Sequence, residues 1–522
     1  MFTLSAGRKT SRPRNRSGKP GYDLYVKAIG SETLLRLTKH PSDWISSAWS
    51  PDGTQIAFHR LGADDNGIYL VPALGGPERK LIATHTASPA AAPISWSPDG
   101  RWIAYTEPEN EPVGNRAFLL NVETLESHEF PHDPACRHEG LLTFSHRGRE
   151  LAVLCVHNNT GFEYVITDLE GKSRRSLVTR HEFPYGVTWS ADDHSLIMPA
   201  SGIGRSFDEI RVSDGEVHKL SMARGEWPAI SNDGRKLAIS VSDDHVSIWR
   251  KDLRHPDVSS VQMYGSSRTQ NAGEYSPDGK HVAFDSGRSG WWNVWMADGD
   301  GSNLVQISKD PAAFYPRWSP DSQNIVFQKF DEASGLWGVY TADISDRVAH
   351  KLRTNVRESS DPSWSHDGKW IYFLGYEGNG HQLYRCPAEG GNATLLTGSL
   401  DRTTATESFD GKLLYFPARW GNANMMMLAL YRPEAAPQEV PQMPKISNRA
   451  NWAVAAEGIY FNPQDDPRSI SFYDFATKHT RELFKVDKDL DEGMSVSPDG
   501  RYILYSQVDE SNADIMLVDH FR

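Results

Sequence analysis

Cysteine is scarce: Cys136, Cys155 and Cys386 are the only three in 522 residues. Their odd number, wide spacing and lack of a Cys-x-x-Cys pair exclude a framework of bridges, and they read as buried or incidental thiols. A bridge between Cys136 and Cys155 on neighbouring strands is the lesser alternative. Positive charge is also in short supply, with 55 Lys and Arg against 68 Asp and Glu and a net charge of −13. That balance argues against nucleic-acid binding by the body of the protein. No long segment has the 3.6-residue periodicity of an amphipathic helix, so the chain reads as all-β. No apolar run is long enough to span a bilayer, and Met1–Ala6 is too short for the apolar core of a secretory signal. The expectation is therefore a cytoplasmic chain without a membrane segment, with a periplasmic location as the alternative if a signal or anchor lies upstream.

What the chain has in quantity is one turn. Ser-Pro-Asp-Gly occurs whole at Ser50–Gly53, Ser97–Gly100, Ser276–Gly279 and Ser497–Gly500, and degraded at Ser145, Ser190, Ser231, Ser319, Ser365 and Ser408. From Ser50 to Ser408 the spacing is 41 to 48 residues, and Ala455–Gly458 falls near the middle of the remaining 89-residue gap. Proline presets φ, aspartate bonds its own backbone and glycine accepts positive φ, so each copy predicts a tight hairpin. An aromatic such as Trp49, Trp96 or Trp318 ends the strand before the turn, and an apolar run such as Ile56-Ala57-Phe58 starts the strand after it. A third strand (Gly67–Val71, Asn293–Met296, Gln382–Arg385) and a short fourth complete a unit of four strands in 40 to 45 residues. That is the signature of a β-propeller blade.

These residues resemble the TolB-type propeller repeat over nearly the whole chain from Tyr22 to Arg522. Two stretches, SGRSGWWNVWMADGDGSNLVQIS at 286–308 and SPDGRYILYSQVDESNADIMLVDHFR at 497–522, are similar to the propeller half of bacterial winged-helix transcriptional regulators. Only about 21 residues precede Tyr22, too few for a winged helix, so the resemblance implies the sensory or scaffold half alone. Eleven copies exceed the four to eight blades of one ring. The expected fold is all-β, tandem β-propellers of about six four-stranded blades each, with seven in one ring left open. Residues 1–21 are expected as a basic flexible tail carrying Arg8, Lys9, Arg12, Arg14, Arg16 and Lys19, 22–262 as the first propeller and 263–522 as the second. Strands from the two termini are expected to complete a shared blade, which would remove an exposed sheet edge.

Chemistry is harder to find. There is no Gly-x-Ser-x-Gly elbow and no room for a hydrolase domain, which excludes a peptidase of the kind that carries such a propeller. Asp298–Asn303 alternates oxygen ligands like a calcium loop but lacks the closing Glu, and reads as a blade turn. Among 19 histidines there is no HxH or HExxH pair, although His128, His132 and His138 fall in one loop-rich stretch. No catalytic residue, metal ligand or cofactor is assigned. The resemblance implies instead that loops entering each innermost strand converge on the axis and bind a ligand there. Trp44, Tyr185, Trp227, Glu274, Tyr315, Arg317, Asp361, Arg402 and Trp452 are the residues expected at that mouth, and Asp43, His138, Glu139, Asn271 and Glu492 lie in the same loops. Aromatics with charges of both signs fit recognition of a protein or peptide by a monomeric, non-catalytic scaffold. The alternative is a metal-dependent enzyme, a lyase or lactonase-like hydrolase, with its site in the axial channel.

Overall fold

In the computed structural model the Ser-Pro-Asp-Gly copies are built by one hydrogen-bond set. At the first, the Ser50 hydroxyl donates to Asp52 Oδ1 at 2.6 Å and accepts the Gln55 amide at 2.9 Å, while the Gly53 amide donates to the Ser50 carbonyl. Asp52 also accepts the Thr54 amide at 3.0 Å. The same serine and aspartate bonds recur at Ser97, Ser276 and Ser497, and in the degraded copies at Ser190, Ser231, Ser319, Ser365 and Ser408. The fourth position needs positive φ, which Gly53, Gly100, Gly279 and Gly500 adopt between 66° and 76°.

Two degraded copies put a side chain at that position. Asp193 and Ser322 hold φ of 63° and 61°, and each uses its side chain on the neighbouring sheet. Asp193 accepts the His146 and Arg147 amides at 2.7 and 2.9 Å. The Ser145 copy, Ser-His-Arg-Gly, has no carboxylate of its own. Ser322 accepts the Asp278 amide at 3.1 Å.

The structure describes the chain apart from residues 1, 7–21, 32, 40–41, 43, 62–64, 86–92, 109–114, 135, 137, 158–160, 181–185, 201–205, 223–224, 232, 267, 310–311, 332–333, 335, 377–380, 401–402, 419–420, 433–434 and 522. Every element among the described residues is a strand, arranged mostly in four-stranded antiparallel sheets. No helix there is long and apolar enough to cross a membrane. Trp44–Trp49, Gln55–Leu61, Gly67–Pro72 and Arg79–Ala83 pair in that order, with Trp49 opposite Ile56 across the turn. This plan of one turn and four successive strands repeats along the chain. Apolar side chains of successive sheets pack face to face, as Ala57, Ile68 and Leu70 do on Ile103, Tyr105 and Leu120. Each fully buried aromatic, Phe327 for example, contributes roughly 1.5–3 kcal/mol.

The chain divides into two compact units, Met1–Asp243 with Asn512–Arg522, and Asp244–Ser511. The division falls inside two long strands, Lys236–Asp252 and Tyr502–Asp519, which pair with each other; the sequence reading had placed it at 262/263. Within the second unit, Leu490–Val496 and the first part of Tyr502–Asp519 are completed by the later part of Lys236–Asp252 and by Val261–Gln262. Within the first, Lys236 pairs with Asp519 and the Phe521 amide donates to the Arg235 carbonyl. The C-terminal strand thus closes on an interior strand, whereas a blade shared by the two termini was expected.

Two further readings change. Phe2–Ala6, placed in a flexible tail, forms a strand paired with Asp23–Lys27, Phe2 opposite Lys27. Its alternation FTLSA carries the period of a strand, outweighed in the sequence reading by the basic stretch behind it. That basic stretch, Arg8 to Lys19, lies outside the described residues. Cys136 and Cys155, read as thiols, are joined by a disulfide with Cα atoms 5.4 Å apart. The register that sets Cys155 opposite Glu139 brings residues 19 apart into contact. Cys386 is a buried free thiol whose pKa burial pushes up to about 12.

Candidate functional site

Innermost strands in both units carry a bulge with a residue in the left-handed region. The register slips between Gly140 and Thr143, Glu226 and Ala229, Asn271 and Glu274, Phe314 and Arg317, Ser360 and Ser363, and Leu490 and Met494. Leu141, Trp227, Ala272, Tyr315, Asp361 and Gly493 sit at these slips with φ from 40° to 117°. A non-glycine residue there costs on the order of 1–2 kcal/mol. Bulges re-aim side chains, and strain of this kind collects at functional positions.

In the Asp244–Ser511 unit, acceptors from the sheet before cap the bulge amides. The Tyr315 amide donates to Asp285 Oδ2 at 3.1 Å, and the Asp361 amide to Gln328 Oε1 at 3.0 Å. The re-aimed side chains then meet around Arg449. Its guanidinium pairs with the Asp361 carboxylate, donates to the Tyr315 hydroxyl at 3.0 Å and lies 3.9 Å from Glu492, to which Tyr315 also donates. Arg449 and Asp361 have fully buried side chains. Burial alone would lower the Arg449 pKa, but Asp361, Tyr315 and Glu492 outweigh it and raise it. One cation therefore ties four sheets together.

Two acids beside this cluster are held towards their neutral forms. Burial raises Asp285 well above the usual carboxylate range against the opposing Tyr315 amide and Arg317. Burial pushes Glu274 up to about 7, opposed by Arg317 at 3.9 Å and the Trp318 amide. Next to Tyr315 runs a row of rings: Phe314 stands 6.2 Å from Tyr315, 5.5 Å from Trp292 and 5.9 Å from Trp337. Trp291, beside Trp292, is 46% exposed. Trp291 and Trp292 precede the strand Asn293–Asp298, while Phe314 and Tyr315 lie near the start of Ala313–Trp318 and Trp337 near the start of Leu336–Asp343.

Of the expected mouth residues, Glu274, Tyr315, Arg317 and Asp361 come together here. Trp452 belongs to the same unit but is buried, its indole donating to the Arg449 carbonyl at 2.7 Å. Trp227, in the first unit, packs on the cluster around Trp189 and Leu196. Trp44 is in a strand, its side chain outside the described residues, as are Tyr185 and Arg402 altogether. Arg449, Asp285, Phe314, Trp292 and Trp337 were not anticipated. Arg449 falls in the 89-residue gap without a serine anchor, Asp285 ends a second strand, and the aromatics resembled wedge filling.

The lesser motifs resolve as turn and packing chemistry. Ser302 donates to Asp300 and Asn303 to Asp298, closing the calcium-like stretch as a turn. His128 packs edge-on to Trp102, and His132 faces Glu139 at 3.6 Å. Among the described residues no three of His, Cys, Asp or Glu form a group able to hold a metal ion.

Residues 274–436, which include Glu274, Tyr315, Arg317 and Asp361, match the family model described as TolB beta propeller domain. Over that stretch the chain is similar to TolB-type β-propellers. The Tol-Pal system protein TolB of Francisella tularensis subsp. tularensis is 23% identical over 233 residues, 42% of this chain and 52% of that protein. A protein TolB homolog of Chlorobium luteolum is 27% identical over 161 residues, 30% of this chain and 36% of that protein. The TolB-like chain thus matches about half the length of the first relative and about a third of the second. Among solved structures, the putative TolB from Agrobacterium tumefaciens aligns at 15% identity over 67% of this chain and 98% of that one, with a TM-score of 0.28.

Proposed function

We propose that this TolB-like protein is a non-catalytic scaffold that binds a protein or peptide where the inner strands of the Asp244–Ser511 unit begin. The observation that carries this reading is the row Trp292, Phe314, Tyr315 and Trp337, with exposed Trp291, set beside Glu274, Arg317 and Glu492. Partly exposed aromatic rings supply contact area at low entropic cost, and charges at their edge orient a partner. Arg449 and its ion pairs brace this surface from below; their full burial gives them a positioning role.

A partner in an envelope system is the form of this reading that the Francisella relative supports, since its name places it in the Tol-Pal system. The disulfide between Cys136 and Cys155 supports an oxidising compartment, and so the periplasmic alternative over the cytoplasmic one. A sensory role in transcription rests on the sequence resemblance alone.

Panning a random twelve-residue peptide library on the wild-type protein tests the proposal. Enriched peptides are expected to bind the Trp292→Ala/Phe314→Ser variant at least about tenfold more weakly, a loss of about 1.4 kcal/mol. Enriched peptides that bind the variant equally well, or no enrichment at all, would refute it.

A further inference from the structure

At the turn end of the Asp244–Ser511 unit, away from the aromatic row, one arrangement occurs twice with a single difference. The amides of Leu253, Gly299, Ile344, Ala388 and Leu430 each donate to the carbonyl of the residue following a Ser-Pro-Asp-Gly-type turn. Three residues earlier stand Arg250, Met296, Thr341, Arg385 and Met427. The two arginines lie over equivalent rings, Arg250 over Tyr502 at 4.8 Å and Arg385 over Trp370 at 4.7 Å. Arg250 then donates to the Gly299 carbonyl of the next sheet at 2.9 Å. Among the described residues Arg385 has no such acceptor: Leu430 holds the Gly299 position beside it, the buried Arg385 Nε has no hydrogen-bond partner, and no carboxylate pairs with the guanidinium.

In front of Arg385 is a cleft of about 290 Å³, shared with Trp370, Tyr372, Leu430 and Tyr431 and with the carboxyls of Asp367 and Glu407. The lysines there are matched, and Glu407 is held by hydrogen bonding. Lys412 pairs with Asp410 at 3.0 Å and Lys369 with Asp367 at 3.1 Å, while Glu407 accepts the His366 amide. Tyr431 is 69% exposed, an aromatic side chain that packing leaves open to solvent. A corresponding cleft in the Met1–Asp243 unit is lined by Arg175 and Arg211, but there each arginine has an acid, Glu150 at 3.1 Å and Asp214 at 3.0 Å. Arg385 is therefore a half-buried, ring-stacked guanidinium to which the described residues offer no hydrogen-bond acceptor.

We propose that this cleft binds a carboxylate carried on an aromatic or aliphatic body about the size of one amino-acid residue. The carboxylate takes the place that the Gly299 carbonyl holds for Arg250, and the body lies on Leu430 and Tyr431. A guanidinium fork matches a carboxylate with two parallel hydrogen bonds, the geometry that the stacked Arg385 side chain leaves open. The volume admits a single residue and little more. Such a carboxylate belongs either to a free organic acid or to the C-terminus of a peptide.

Calorimetric titration with 3-phenylpropionate, and with acetyl-Gly-Gly-Phe as free acid and as amide, tests the assignment. Binding of at least one free acid with Kd of about 1 mM or below is expected, with the amide at least about tenfold weaker. Binding of phenylpropionate without the peptide acid identifies a small-molecule site, and binding of both a C-terminus site; either supports the proposal. Arg385→Gln should abolish binding while lowering the melting temperature by only a few degrees, because Arg385 stacks on Trp370 but donates to no acceptor among the described residues. Tyr431→Ser, altering an exposed side chain, should weaken binding severalfold with the fold intact. Equal binding of acid and amide, undiminished binding by Arg385→Gln, or no binding of either acid at about 10 mM would overturn it.

Discussion

Arg449 carries its charge with no exposure, and its value lies in what it prevents. Without it Asp361 would be a buried carboxylate lacking a counter-ion, which typically costs 3–5 kcal/mol, whereas an apolar replacement of a whole buried pair is close to neutral. Arg449→Met is therefore expected to lower stability by about 3–5 kcal/mol in urea unfolding, and adding Asp361→Leu should restore most of that loss. A single variant less than about 1 kcal/mol below wild type would show that the pair braces nothing. Glu274 titrates in the opposite sense to an ordinary surface acid. Its folded pKa of about 7 lies above the unfolded value of about 4.3. The protonated form is thus favoured by the fold, and its stabilisation is fully present below about pH 4.3 and lost as pH rises through 7. Glu274→Gln should remove a decline of roughly 1–3 kcal/mol in wild-type stability between pH 5 and 8. Parallel stability curves for the two proteins over that range would contradict this.

At the scale of the element, the Ser-Pro-Asp-Gly turn was legible because its chemistry is local. Each bond joins residues at most five apart, so serine, aspartate and glycine announce the hairpin together. Two turn carboxylates sit low at about 2, Asp367 chiefly through the Lys369 amide and Asp410 chiefly through the Ser408 hydroxyl. Their contribution is present above about pH 4 and lost as pH falls towards 2. The degraded copies separate two effects. Asp193→Gly relieves a left-handed φ worth about 1 kcal/mol but removes two charge-assisted bonds to His146 and Arg147, so a net loss of about 1–3 kcal/mol is expected. Ser322→Gly removes one neutral bond to the Asp278 amide for the same relief, and should change stability by less than about 0.5 kcal/mol. Equal effects in thermal unfolding would show that the cross-sheet bonds carry no weight. The bulges were legible only by position. Counting from the repeat puts Tyr315 and Asp361 at the start of inner strands, but nothing local announces that Arg449, 88 residues beyond Asp361, supplies the charge between them. The Cys136–Cys155 disulfide was hidden for the same reason, since strand register decides it.

At the scale of the whole molecule, the strand Tyr502–Asp519 contributes to both compact units. In the first, Val518 and Phe521 pack against Ile197, Phe207, Leu237 and Ile239. Removing residues 512–522 is expected to raise amide hydrogen exchange at Lys236–Asp243 by about a hundredfold or more and to leave the sheets between Gln270 and Leu400 protected. Loss of protection across those sheets as well would show that the division into units has no energetic meaning. Seating of a peptide on the aromatic row of the Asp244–Ser511 unit is measurable by hydrogen exchange of the full chain, with and without a peptide enriched by panning. Protection is expected to be confined to the segments around Trp291–Trp292, Phe314–Arg317 and Trp337; protection elsewhere with these segments unchanged would rule out the aromatic row as the peptide's seat.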